Sequence, residues 1–367
     1  MNTHDQKLFQ PVTIGSLQLS NRIVMAPMTR SFSPKGVPGG NVAQYYANRA
    51  KGGVGLIITE GTTVNHPASN GYPNVPRFFG KDALAGWSKV VEAVHENNGK
   101  IVPQLWHVGY VRKKGTEPDP AVPGYSAMGK ESNGEVEIVG MDEKDINDVI
   151  QAFADAARDA EKIGFDGIEI HGAHEYLLDQ FFWEKSNQRD DKYGGSLEAR
   201  LLFATELIKA VRSAVSRSYP VIFRFSQWKQ QDYKAKLAYT PEELERFLLP
   251  LSDAGVDIFH ASTRRFWEPE FEGSDLNLAG WTKKITGKPT ITVGSVGLDA
   301  TFTASFGGKE AKPTGLDALY ERLNKDEFDL VAVGRALLAD PYWISKIKNE
   351  QFDQIDTFKK EALMALN

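Results

Sequence analysis

From about residue 20 onward the chain alternates short apolar runs with longer stretches in which apolar residues recur every three to four positions. The short runs, bounded by Gly, Pro and Asp, predict strands at Arg22–Ala26, Val54–Thr59, Ile101–Leu105, Gly167–His171, Val221–Phe225, Ile258–Ala261, Thr290–Val293 and Leu330–Val333. The periodic stretches between them predict helices at Val42–Lys51, Ala83–Asn97, Glu143–Lys162, Leu197–Val215, Pro241–Asp253 and Leu316–Leu323. Between Ile258 and Thr290 the helical signal shrinks to a single turn near Gly280-Trp281. Strand then helix, repeated eight times, is the pattern of an α/β chain closed into a (β/α)8 TIM barrel. An open doubly wound sheet would carry Gly-x-Gly-x-x-Gly after its first strand, and the chain has none there.

Two segments decorate this repeat. Val12-Thr13-Ile14 and Leu17-Gln18-Leu19 flank a Gly15-Ser16 turn, an N-terminal β-hairpin placed to plug the barrel's bottom. After strand three, the stretch from His107 to Gly140 is rich in proline and charge and long for a βα connection, which marks a lid or binding loop. With no internal repeat, low-complexity tract or linker, residues 1–367 read as a single domain.

Composition narrows the function. A formal net charge of -5 offers no basic face for nucleic acid or an acidic membrane surface. The absence of cysteine excludes disulfides, zinc–thiolate sites and iron–sulfur clusters. The N-terminus Met1-Asn2-Thr3-His4-Asp5-Gln6-Lys7 has no apolar core of a secretory signal, and runs such as Val54 to Thr59 are too short to span a bilayer. The expectation is a cytoplasmic protein, monomeric or homo-oligomeric, that acts on small molecules.

In a parallel barrel the chemistry gathers at the C-terminal ends of the strands. Strand four ends in His171-Gly172-Ala173-His174-Glu175-Tyr176, which brings two imidazoles and a phenol into one short loop. Two histidines can hold one oxygen between them, and a tyrosine can deliver a proton while staying neutral. This is equipment for polarising a carbonyl and protonating a carbon beside it. Histidines satisfied in the core, or a metal site using Glu169, His171 and either His107 or His260, are the competing readings. No lysine stands at any strand end, which argues against Schiff-base aldolase chemistry.

The other strand ends suit a planar heterocycle that carries a phosphate. Pro27-Met28-Thr29, Gln104 and Arg224 offer polar edges to a ring, although Gln104 and Arg224 would also serve as polar plugs of the barrel core, and Trp106 as a core aromatic. Gly294-Ser295 and Gly334-Arg335 end strands seven and eight, where barrels often seat phosphate. There glycine admits close approach of backbone N–H groups and arginine can clamp an anion bidentately. The alternative for Gly-Arg is a turn with a surface salt bridge.

Taken in order, Asn21 to Arg30, Gln104 to Gly109, His171 to Gln180, Asn187 to Ser196 and Val333-Gly334-Arg335 resemble the old yellow enzyme family of FMN-dependent ene-reductases, classical branch. The likeness runs from Leu8-Phe9-Gln10-Pro11 to Ala339-Asp340-Pro341. It implies a TIM barrel with FMN at its mouth. Thr29 would meet the flavin O4 edge, Gln104 the pyrimidine edge and Arg224 the N1/O2 edge. Gly294, Ser295, Gly334 and Arg335 would hold the phosphate, with Pro27, Met28 and the backbone of Gly61 also against the cofactor. His171 and His174 would hold a substrate carbonyl, with Trp106 beside it and Tyr176 as proton donor.

The reaction implied is ping-pong reduction of the activated C=C bond of an enone or enal, with NADH or NADPH as hydride donor. Small-amine oxidation or demethylation is the rival within oxidoreductases, and a metal-dependent barrel hydrolase the rival outside them. Departures from the family pattern are Tyr110 and Ala199, an individual Arg264–Trp267 loop, and no C-terminal tyrosine segment to fold over the substrate.

Overall fold

The computed structural model describes residues 6–301, 304, 305 and 307–367. It opens with an antiparallel hairpin, β1 (Val12–Ile14) and β2 (Leu17–Leu19), paired Val12 to Leu19. The barrel strands follow: β3 (Ile23–Met25), β4 (Leu56–Thr63) and β5 (Ile101–Trp106). A small sheet, β6 (Gly124–Ser126), β7 (Lys130–Ser132) and β8 (Glu135–Gly140), interrupts them. Then come β9 (Ile168–Gly172), β10 (Val221–Ser226), β11 (Ile258–Ser262), β12 (Thr290–Val293) and β13 (Leu330–Val333). All eight barrel strands are parallel, and β13 returns to pair with β3, so no edge is left open.

All eight strands match the apolar runs, with ends that differ by a few residues. These runs are apolar throughout because a parallel sheet is covered on both faces. Every residue of β4, β5, β9 and β10 is buried. Outward residues pack under the helices, whereas inward ones fill the barrel in layers. Val24, Leu56, Ile58, Val102, Ile222, Ile258, Ile291 and Leu330 form the lower interior, and Ile14, Leu17 and Leu19 of the hairpin cluster with them as its plug. The period of two then sets what lies above: Gln104 stands two residues beyond Val102, Arg224 beyond Ile222 and His260 beyond Ile258. One step along each strand turns the interior from apolar to polar.

One irregularity shapes the mouth. Pro103 has no N–H for the ladder, and the register between β4 and β5 shifts between Ile58 and Gly61. The Thr59 hydroxyl accepts the Gln104 N–H across the bulge (3.1 Å), and Gly61 comes to lie opposite Gln104.

The structure departs from expectation in four places. The weak turn near Gly280-Trp281 is a nine-residue helix, Leu278–Thr286, because Asn277 caps it by accepting the Gly280 N–H at 2.8 Å. The His107–Gly140 connection contains the sheet β6-β8-β7. It is stitched down by the fully buried Arg112, which donates to the carbonyls of Asn70, Thr116, Glu117, Asp119 and Val122. A short helix, Leu177–Phe182, begins directly after Tyr176. Finally, Arg30 donates to the carbonyls of Ala362 and Ala365 and draws residues 360–367 toward the barrel mouth. Among the described residues no helix is long and apolar enough to cross a membrane.

Candidate active site

A cavity of about 690 Å³ opens at the C-terminal ends of the strands, within the size range of small-molecule sites. Around it stand Pro27, Met28 and Thr29 after β3, Gly61 of β4, and Gln104 and Trp106 of β5. His171, His174 and Tyr176 follow from β9, and Arg224 from β10. Gly294-Ser295 and Gly334-Arg335 close it after β12 and β13. Every residue that the sequence offered for the cofactor and the substrate carbonyl therefore lines one cavity, whereas Glu169, His107 and His260 do not.

Each imidazole has one ring nitrogen committed inside the protein and one left for the cavity. The Ala173 N–H donates to His171 Nδ1 (3.3 Å), which places the ring proton on Nε2. The Ser262 hydroxyl takes a hydrogen bond from Arg224 (3.3 Å) and lies 2.8 Å from His174 Nε2, which leaves His174 Nδ1 for a ligand. Burial, helped by the Arg224 cation, holds both rings well below the ordinary histidine range. His174 and Glu175 both have positive φ (62° and 66°), a costly conformation held by its surroundings. The Ser226 hydroxyl accepts the His174 N–H (3.0 Å), Asp179 accepts the Glu175 N–H (2.7 Å), and the Gln180 amide donates to the Glu175 carbonyl (2.6 Å).

Tyr176 is 7% exposed, and its hydroxyl sits 3.0 Å from that of Tyr72 and accepts from the Gln230 amide at 2.9 Å. Burial raises the phenol, so it remains protonated across the working pH range. Its ring lies edge-on to Trp106 (4.8 Å between centroids) and to His171 (5.0 Å). Trp106 leaves Gly61 no room for a side chain, because a Cβ there would lie 2.4 Å from the indole.

Below the histidines lies a fully buried polar relay. The Gln104 amide nitrogen donates to Glu169 (2.7 Å), and the other carboxylate oxygen meets His260 Nδ1 at 2.6 Å. One N–H of the Gln104 amide is committed to Glu169, which leaves the other and the carbonyl oxygen for a ligand. Glu169 and His260 thus pair with each other, while His107 Nε2 donates to His66 Nδ1 at 2.9 Å, in a separate cluster beside Tyr125. Among the described residues no group of three His, Cys, Asp or Glu side chains is arranged to hold a metal ion.

Tyr72, Trp228 and Gln230, which the sequence did not single out, reach the His171–Tyr176 loop from two other connections. Their signal in the sequence is only aromatic and amide residues within loops. Toward the C-terminus Leu363 lines the cavity, an apolar residue from a segment that carries no tyrosine. Arg335 lines the cavity as well, but its terminal nitrogens donate to the carbonyls of Ala300 (2.7 Å) and Thr301 (3.2 Å) and to the Ser305 hydroxyl. It therefore steadies the loop after β12 as well as supplying positive charge. At the β4 end, Glu60 turns away from the cavity and accepts the Arg30 and Ser31 N–H groups (2.8 and 3.0 Å); burial raises its carboxyl to about 7.

The donor set fits a flavin mononucleotide. The Arg224 Nε is buried without a partner, and Thr29 is exposed on the cavity wall. The glycine-bearing ends of β12 and β13 close one end of the cavity, and among the described residues no Asp or Glu appears in its lining. Barrel and site together offer a seat for a planar cofactor that carries one phosphate. The chain belongs to the NADH:flavin oxidoreductase / NADH oxidase family, matched over residues 7–312, and within it to the old yellow enzymes.

It is similar to an NADH oxidase of Thermoanaerobacter brockii, 36% identical over 96% of this chain and 52% of that one. An NADPH dehydrogenase of Clostridium acetobutylicum is 33% identical over 95% and 97%, and 12-oxophytodienoate reductase 2 of Arabidopsis thaliana 39% identical over 91% and 86%. The chain thus spans about half the length of the Thermoanaerobacter protein, as it does of 12-oxophytodienoate reductase 7 from rice (55%). Among solved structures, morphinone reductase in complex with tetrahydroNAD superposes with a TM-score of 0.79 at 26% identity, covering 98% of this chain and 94% of that one.

Proposed function

We propose that the protein reduces the activated C=C bond of α,β-unsaturated carbonyl compounds, taking its reducing equivalents from NADH or NADPH. The observation that carries this reading is a protonated, buried phenol, Tyr176, edge-on to His171 beside a second neutral imidazole, with no acidic side chain among the described residues of the lining. When bound, FMN supplies the hydride chemistry, and the protein supplies binding, orientation and one proton.

Thr29, Gln104 and Arg224 hold the polar edges of the flavin ring, and Pro27, Met28 and Gly61 lie against it. Gly294, Ser295, Gly334 and Arg335 hold its phosphate. His171 Nε2–H and His174 Nδ1–H donate to the substrate carbonyl oxygen and stabilise the negative charge that develops there, as an oxyanion hole does. Because both rings are already neutral donors, this stabilisation needs no prior protonation. Trp106 walls the site against the alkene. Tyr176 gives its proton to the carbon beside the carbonyl, and the Gln230 amide, donating to the phenol oxygen, steadies the charge left behind.

Relatives named as reductases of 12-oxophytodienoate and of morphinone support a carbonyl-bearing acceptor. An amine substrate finds no carboxylate in the lining to receive its cation.

The test is anaerobic turnover of the purified protein. Heat-released cofactor should be FMN, NADH or NADPH should bleach it, and an enone such as cyclohexenone should restore the oxidised spectrum. Release of FAD or of a metal alone, or a bleached protein that enones leave unchanged, would overturn the proposal.

A further inference from the structure

Among the described residues three cations line the cavity, Arg224, Arg335 and Arg264, with no Asp, Glu or Lys beside them, although the chain as a whole carries a net charge of -5. Arg224 lies at the floor beneath the histidines, and Arg335 beside the glycine-bearing strand ends. Arg264 is the third, and neither the flavin site nor the carbonyl site uses it. It stands at the far end of a wall of rings that begins at the catalytic loop. Trp228 stacks on His174 (4.4 Å between centroids, 22° between planes), Tyr233 leans on Trp228 (5.5 Å), and the Arg264 guanidinium sits 4.0 Å over the Tyr233 ring.

We propose that Arg264, presented on Tyr233, binds the anionic pyrophosphate of the nicotinamide hydride donor. This rests on NAD(P)H being the donor at this site and adds the residue that selects for it.

The wall is built to keep its place. The Trp228 indole N–H donates to the Ser262 carbonyl (3.2 Å), and the Lys229–Asp179 ion pair beside it (2.6 Å) is fully buried. The Arg264 backbone is equally fixed: the Ser295 hydroxyl donates to its carbonyl (3.1 Å), and residues 263–265 lie so close to Gly294 that a Cβ there would meet the Arg265 nitrogen at 2.7 Å. The side chain therefore projects from a rigid loop, over a ring that is itself 44% exposed at the cavity rim.

Stacking engages the face of a guanidinium, whereas a phosphate is bound along its edge, so both contacts can exist together. A nicotinamide whose carboxamide is held by His171 and His174 has the rest of the donor leaving along this wall. The pyrophosphate is its first multiply charged group, and in a net-negative protein a locally positive cavity is what draws such an anion in. The flavin phosphate belongs with the β12 and β13 ends, against which the backbone of residues 263–265 packs, whereas the Arg264 guanidinium turns onto Tyr233 and the substrate side.

The experiment uses the FMN-loaded enzyme and Arg264→Leu, with Arg265→Leu as a neighbouring control whose guanidinium pairs with Glu268 (2.6 Å). Stopped-flow reduction is followed with NADH, with NADPH and with uncharged 1-benzyl-1,4-dihydronicotinamide; reoxidation is followed with cyclohexenone. The apparent dissociation constants for NADH and NADPH should rise about five- to thirty-fold in Arg264→Leu, the worth of a charge-assisted contact at a partly exposed site. Arg264→Lys should recover part of the loss. Added salt should weaken NADH binding to the parent more than to Arg264→Leu. The uncharged donor, cyclohexenone reoxidation and FMN retention should match the parent.

An unchanged affinity for NADH overturns the proposal. So does equal weakening of the uncharged donor, which would mean a displaced wall, or loss of FMN, which would place Arg264 in the cofactor site. A loss confined to acidic electron acceptors would assign the arginine to the other substrate and overturns it too. A parent enzyme that NAD(P)H does not reduce at all defeats the functional reading instead, before Arg264 is tested.

Discussion

Replacing Tyr176 by Phe removes one oxygen from the site and separates its two half-reactions. In the ground state that oxygen contacts the Tyr72 hydroxyl and the Gln230 amide, at 3.0 and 2.9 Å. Gln230 lines the cavity and Tyr72 is half-buried, so water can replace the lost contacts and the cost in stability should be about 0.5–1.5 kcal/mol. The ring contacts with Trp106 and His171 survive in Phe, and the fold should be unchanged. The transition state loses far more. A positioned general acid contributes about 10²–10⁴-fold, which corresponds to roughly 2.7–5.4 kcal/mol at about 1.36 kcal/mol per factor of ten.

The loss should fall on reoxidation by enones alone. Reduction of the enzyme by NAD(P)H requires no proton from Tyr176, and quinones, which need no carbon protonation, should reoxidise the variant at nearly the parental rate. His174→Ala should behave differently, weakening the binding of phenols and other carbonyl-site ligands as well as turnover. Because burial keeps the phenol protonated, the parental enone rate should also be flat from about pH 6 to 9. Stopped-flow spectroscopy of each half-reaction is the assay. Enone reoxidation of Tyr176→Phe at the parental rate would refute the assignment and put the proton source elsewhere.

Gly61→Ala should cost about 1–3 kcal/mol in urea unfolding and loosen FMN, because the new Cβ would lie 2.4 Å from the Trp106 ring; a variant as stable and as yellow as the parent would contradict this. Lys229→Met should cost about 3–5 kcal/mol by leaving the fully buried Asp179 without its cation, and adding Asp179→Leu should restore most of it; a single variant within about 1 kcal/mol of the parent would show that the pair does not hold the loop. Burial lowers His66 (to about 4), His107, His171, His174 and His260. Unfolded histidines bind protons below about 6.5 while these remain neutral, so stability should fall as pH drops from 7 to 5. Glu60, raised to about 7, works in the opposite sense, its contribution being lost as pH rises through that value. Calorimetry should therefore show a falling thermal midpoint on acidification, steeper in Glu60→Gln; a flat profile would refute the assignment.

The eight strands and six of the helices between them could be read along the chain, because burial on both faces makes a barrel strand uniformly apolar and a covering helix one-sided. The same reading located the site residues, since a strand's C-terminal end is a position in sequence as much as in space. His171, His174 and Tyr176 lie within six residues of one another, and their grouping needed no fold to be seen.

What the tertiary structure alone decided depends on contacts between distant segments. The helix Leu278–Thr286 is short, and its start is set by Asn277, whose amide also bonds the Phe266 carbonyl and the Thr292 hydroxyl. Ser262 engages His174 Nε2 from 88 residues away, and Tyr72 reaches Tyr176 across 104. The wall from His174 through Trp228 and Tyr233 to Arg264 joins loops after three different strands. Local periodicity reports which face of an element is buried. It carries no record of which loops meet over the barrel mouth, because that is fixed by closure of the whole sheet.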